Sequence, residues 1–138
     1  MDQRAFAAAR IVGVCPTGSP AMLESWRQGR VITAPSTDTI ADGIATRTPI
    51  AKSVARIRKL VDDMVLVDDR ALIDAMKLAA STLGLILEPS GAAGLAAIAV
   101  HKIAGDRLAT VLTGGNIHPR LLASILDPAA SSQPRKNV

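Results

Sequence analysis

Three short stretches of this chain carry residue types that bind or transform a small polar ligand. Thr113-Gly114-Gly115-Asn116 couples a hydroxyl to two glycines. A hydroxyl both donates and accepts hydrogen bonds, and glycine lets the backbone approach a ligand closely. Glu88-Pro89-Ser90-Gly91-Ala92-Ala93-Gly94 sets a carboxylate beside small residues that open a helix. Free N–H groups at a helix start attract anions. Ala41-Asp42-Gly43 has the make-up of a ligand loop. Each stretch also has an architectural reading: a strand-to-helix turn, an N-cap at Ser90 above tightly packed glycines, and an ordinary Asp-Gly turn. Taken singly, none of the three decides between ligand and architecture.

The elements around them constrain where they lie. Residues 11–14 form a short β-branched run that reads as a buried strand ending at Cys15-Pro16. Ser19 then suits an N-cap with Pro20 in the first helical position, and that helix should run to about Arg27 and stop at Gly29. Residues 33–49 read as a loop around a short helix capped at Asp38 or Thr39. Ile50, Val54, Ile57 and Val61 recur at helical spacing. Residues 64–67 suit a second strand. Asp68 then caps a helix with Leu72, Met76, Ala79 and Leu83 on one side and Arg70, Asp74, Lys77 and Ser81 on the other.

Residues 85–87 and 110–112 are candidates for a third and a fourth strand. Between them, 91–103 reads as a helix apolar nearly all round and so buried on most faces. Pro119 opens a last helix that ends near Asp127. Strands alternating with helices predict an α/β domain with a parallel sheet. Ligands on such sheets sit beyond the C-terminal ends of the strands. The turn after Val14, the Glu88 loop and the Thr113 loop all fall there.

Composition narrows the class. The chain has 138 residues, which suits one domain. Apolar residues make up 49% and aromatics only 1%, Phe6 and Trp26, so the core rests on Ala, Val, Ile and Leu. Such a core suits helices packed on a sheet and offers no stacking platform for single-stranded nucleic acid. The formal charge of +4 comes partly from Arg47, Lys52, Arg56, Arg58 and Lys59 and partly from Arg135 and Lys136. Lys52, Arg56 and Lys59 share one helical face, which reads as solvated. Cys15 is the sole cysteine, so no internal disulfide forms. No signal peptide is evident and no run reaches the ~18 apolar residues of a membrane span. A cytoplasmic protein is expected, with 129–138 a disordered tail. Cys15 and Trp26 read as packing residues, and His101 and His118 lack partners at metal spacing.

In order and at this spacing, IADGIA, VDDMVLV, LEPSGAAGLAA and VLTGGNI resemble the C-terminal half of serine/threonine dehydratases. These are fold-type-II, tryptophan synthase beta-like pyridoxal-phosphate enzymes, a group that includes serine racemase and threonine ammonia-lyase. The resemblance runs from about Ile11 to Leu126. It implies a partial three-layer α/β domain over residues 1–128, the C-terminal part of that fold's large domain. It also implies that Thr113, where most members have serine, contacts the cofactor's pyridine nitrogen. Gly114 follows it, Glu88 lies beside the ring, and the Gly43 backbone borders the pocket. A hydroxyl partner does not hold the ring nitrogen protonated, which favours β-elimination over other carbanion fates.

The departures are equally specific. The family's Schiff-base lysine, asparagine loop and glycine-rich phosphate loop belong to an N-terminal half with no counterpart here. Lys52, Lys59, Lys77 and Lys102 are assigned to amphipathic or buried helices and Lys136 to the tail. No catalytic residue is therefore assigned. Racemase-like members bind a cation through a glutamate and an aspartate that correspond here to Cys15 and Ala21, so no metal is expected. The resemblance implies removal of water from L-threonine or L-serine, giving a 2-oxo acid and ammonia, once a complementary N-terminal fragment supplies the lysine. The alternative is a catalytically dead remnant or interaction module that binds no cofactor. Either way, a sheet without its other strands exposes apolar edges, which predicts self-association or a homo-oligomer.

Overall fold

In a computed structural model, residues 9–126 are described. They fall into two compact units, one up to Asp69 and the other from Arg70.

The first unit is built on two parallel strands, β1 (Val12–Pro16) and β2 (Asp63–Val67). Val12 pairs with Asp63 and Pro16 with Val67. The Thr17 N–H extends the pairing to the Val67 carbonyl at 2.8 Å. β-Branched Val12, Val14, Val65 and Val67 suit the pleat. β1 runs through Cys15 and Pro16 rather than stopping at Val14, because Pro16 sits at the strand end, where its missing N–H breaks no ladder. Helices α1 (Ala21–Gln28) and α2 (Ala51–Leu60) lie between the strands in sequence. Cys15, Leu23 and Met64 form a buried cluster, with Met22, Trp26, Ile57, Val61 and Leu66 packed around it. The packing role of Trp26 follows directly.

Three local expectations in this unit are corrected. Pro20, not Ser19, precedes the first helical residue, and no side chain caps α1. Ser19 is buried and its hydroxyl donates instead to the Thr46 carbonyl at 3.1 Å. Residues 33–49 contain only a 3-10 turn, Asp42–Ile44, preceded by Ala41 rather than Asp38 or Thr39. Ile50 stays 71% exposed, so the apolar stripe of α2 begins at Val54. The stop at Gly29 holds: φ is 69°, the left-handed region, and its N–H donates to the Ser25 carbonyl at 2.9 Å.

Ser25 ties α1 to the segment after it. Its buried hydroxyl donates to the Ala21 carbonyl at 2.6 Å and accepts from the Ile32 N–H at 2.8 Å. Ser25→Ala would leave the Ile32 N–H without its partner. An orphaned amide costs about 1–2 kcal/mol, so the urea midpoint should fall by that equivalent.

Burial also pushes the Cys15 thiol up from its ordinary value, an effect partly offset by a hydrogen bond with the Leu23 backbone. The unfolded thiol therefore loses its proton first as pH rises. The resulting stability is fully present below the unfolded value of about 8.5 and is lost above it. Urea midpoints between pH 7 and pH 10.5 should fall more steeply for the native chain than for Cys15→Ala. Parallel curves would contradict this.

The second unit contains α3 (Asp69–Leu83), α4 (Ala93–Val100) and α5 (Pro119–Leu126). α3 buries Leu72, Ala75, Met76 and Ala79 as its spacing predicts, but Leu83 is 56% exposed at the last turn. The predicted helix over 91–103 is shorter: a 3-10 turn, Ser90–Ala92, leads into α4, which ends at Val100. Lys102 thus lies after the helix. α4 buries Ala93, Ala96 and Ala97, half-buries Gly94, Leu95 and Ile98, and exposes only Ala99 and Val100 at its last turn. The last helix reaches Leu126 at the limit of the described residues, and the predicted tail lies beyond it.

The expected third and fourth strands, 85–87 and 110–112, do not form among the described residues. A strand exists through a ladder of bonds to a neighbour. Just beyond these segments the Glu88 N–H donates to the Gly114 carbonyl at 2.9 Å, one bond and not a ladder. Leu85, Ile86 and Val111 are left 43%, 44% and 78% exposed. The α/β class and the parallel strand direction hold.

Candidate functional site

The Glu88 loop and the Thr113 loop meet, although 85–92 and 110–116 are separated by a helix. Glu88 donates its N–H to Gly114. Gly114 holds φ 68°, and an added Cβ there would overlap the Glu88 carboxyl group. Gly91 lies so close to Thr113 that an added Cβ would overlap the Thr113 carbonyl oxygen and stand 2.6 Å from its carbon. Gly94 takes the same kind of contact from the Thr110 side chain. Glycines at 91, 94 and 114 thus serve close approach between the two segments.

This contact decides one open reading. The Gly91 and Ala92 N–H groups donate to the Glu88 carbonyl at 3.1 and 3.2 Å. They are not free to hold an anion, so the Gly91 turn is a packing device. Nor does Ser90 cap it. The turn follows Pro89 without a side-chain cap, and the buried Ser90 hydroxyl has no partner among the described residues.

What the two loops present outward is chemical. Thr113 is exposed, and its hydroxyl makes no hydrogen bond among the described residues. Glu88 is half-buried beside Gly114. The pair offers a neutral hydroxyl and a carboxylate on adjoining backbone. That suits a planar ligand with a ring heteroatom better than an anion, because no cation belongs to either loop.

Gly43 belongs to the first unit. It sits in the 3-10 turn at 42–44, and its N–H is taken by the Asp42 carboxylate at 2.8 Å. Gly43 is exposed, which leaves its backbone open to solvent. Sequence reasoning missed how this turn is held. The Asp69 carboxylate accepts from the Thr39 hydroxyl at 2.6 Å and from the Ile40 N–H at 3.2 Å. The Thr39 hydroxyl in turn accepts from the Ala41 N–H at 3.2 Å, and Ala41 is fully buried. A lone Asp thirty residues from its target carries no sequence signal.

Cys15 and Ala21 are both buried. No group of three or more His, Cys, Asp or Glu residues that could hold a metal occurs among the described residues. Lys52 and Lys59 project from α2 and Lys77 from α3, away in sequence from the loops above. No described helix is long and apolar enough to cross a membrane.

The sequence profile described as pyridoxal-phosphate dependent enzyme matches residues 3–114. A serine racemase from Oryza sativa is 39% identical over 118 residues, covering 78% of this chain and 34% of that protein. An L-threonine ammonia-lyase from Thermotoga maritima is 31% identical over 129 residues, covering 92% and 32%. Among solved structures, the processed form of threonine deaminase isoform 2 from Solanum lycopersicum superposes with a TM-score of 0.78 at 28% identity, covering 89% of this chain and 35% of that one. The chain thus spans about a third of the length of the relatives it matches.

Proposed function

Because the chain belongs to the pyridoxal-phosphate dependent enzyme family, we propose that it forms the ring-facing part of a cofactor site acting on a small hydroxyamino acid, as an ammonia-lyase. The observation that supports this reading is the joining of Glu88 to Gly114 and of Gly91 to Thr113. It leaves the Thr113 hydroxyl, unpartnered among the described residues, and the Glu88 carboxylate on adjoining backbone. Both relatives and structural neighbour point to racemases and lyases of hydroxyamino acids.

The residues fit the group. The glycine at 114 clears the space in front of the Glu88 carboxylate that a side chain would fill. When bound, pyridoxal phosphate serves as an electron sink for charge developing at the substrate α-carbon. Thr113 would hold the ring nitrogen with its hydroxyl and, unlike a carboxylate, would not keep a proton there. Gly114 and Glu88 would line the ring edge.

Neither loop contains a lysine, so the covalent anchor and the proton carrier would come from outside these loops. On this reading the chain alone should show no lyase activity. The exposed Leu85, Ile86 and Val111 are apolar surface that such a segment would cover.

The test is reconstitution. The chain is mixed with the lysine-bearing N-terminal portion of a family lyase, and 2-oxo acid formation from L-threonine and L-serine is followed. Turnover should require both polypeptides. Thr113→Val should slow it about tenfold, the effect of one lost hydrogen bond of about 1.4 kcal/mol, with Thr113→Ser near native. A cofactor-loaded complex without turnover would reject the lyase reading in favour of a catalytically silent scaffold.

A further inference from the structure

The first unit carries a second chemical feature. Between the segment that follows α1 and one side of α2, from Ala51 to Lys59, lies an open cleft of about 450 Å³. Arg30, Arg58 and Lys59 stand on its walls, and Val31, Ala51 and Val54 form an apolar floor. No acidic residue lines it.

Cations near a helix end are often placed there to meet the last carbonyls. Arg58 does not do so. Its guanidinium rests on the Cα face of Gly29, where an added Cβ would overlap Nη1. It makes no hydrogen bond or ion pair among the described residues. Arg30 is steadied by Gln28, whose Oε1 accepts from Nη2 at 2.8 Å, and its remaining donors make no hydrogen bond among the described residues. Two guanidinium forks and an ammonium therefore line one cleft, with no acidic residue among its described lining.

We propose that this cleft binds a small phosphomonoester. Three positive groups suit a dianion with three terminal oxygens better than a singly charged carboxylate, and guanidinium forks match phosphate geometry. A volume of about 450 Å³ exceeds a bare phosphate and is in the range of small-molecule sites. The floor of Val31, Ala51 and Val54 suits an apolar body attached to the phosphate. This site rests on α1 and α2 alone and does not depend on the proposed function.

The full chain, labelled with nitrogen-15, is titrated with inorganic phosphate, butyl phosphate and butanol at constant ionic strength set by chloride. Saturable amide shifts should appear at residues 29–31 and 51–59. Half-saturation should fall below about 1 mM for butyl phosphate and be several-fold weaker for inorganic phosphate. Butanol should leave these amides unmoved. Arg58→Gln should weaken binding about tenfold, with the thermal midpoint unchanged because Arg58 is exposed. Lys59→Gln should act in the same direction and checks the result should Arg58→Gln disturb the fold. Shifts that chloride reproduces, or binding equally strong in both variants, would overturn the proposal.

Discussion

Gly91→Ala is expected to lower the unfolding free energy by about 3 kcal/mol and to part the two loops of the candidate site. The new methyl would overlap the Thr113 carbonyl oxygen, and its neighbour at 2.6 Å is backbone carbon that cannot rotate away. Overpacking against a fixed backbone commonly costs about 1–3 kcal/mol, and here the segment must also give up the Glu88 to Gly114 bond. The contrast is Gly84→Ala. There φ is 66° but nothing lies within 4 Å of an added Cβ, so only the left-handed backbone resists, at about 1 kcal/mol. Urea unfolding of both variants, with amide exchange read at residues 88–92 and 113–115, separates the two effects. Equal losses would mean that the contact is not tight.

Leu23→Ala is expected to cost about 3 kcal/mol through a different cause. Leu23 is wholly buried and stands with Cys15 and Met64 at the centre of the first unit. Its removal loses transfer free energy and leaves a cavity whose walls relax only in part. Trp26 packs on the same cluster, so its fluorescence reports the change directly. A loss under about 1 kcal/mol, in line with a site that collapses freely, would contradict the packing described here.

These two positions also mark what the sequence made legible. Leu23 belongs to a helix bracketed by Pro20 and Gly29, and punctuation of that kind is local, so α1 was readable. The same holds for the buried face of α3. The Glu88, Gly91 and Thr113 motifs were readable as chemistry, but not their contact, because pairing between distant segments has no local signal. Residues 85–87 and 110–112 have strand composition, yet their strands fail for want of a neighbour. Ser19 and Ser90 were read as caps because serine favours that place. One hydroxyl instead reaches Thr46 and the other has no partner among the described residues, outcomes set by tertiary packing. Asp69 is the counterpart: its grip on Thr39 and Ile40 shapes the turn that carries Gly43.

The central claim is that this chain supplies the ring-facing side of a cofactor site without its covalent anchor. The most direct measurement is a titration of the purified chain with pyridoxal phosphate, followed by borohydride reduction and peptide mapping. The account predicts amide shifts at residues 88–91 and 113–115, with no lysine fixed to the cofactor in stoichiometric yield. One mole of cofactor fixed per chain at a single lysine would contradict it.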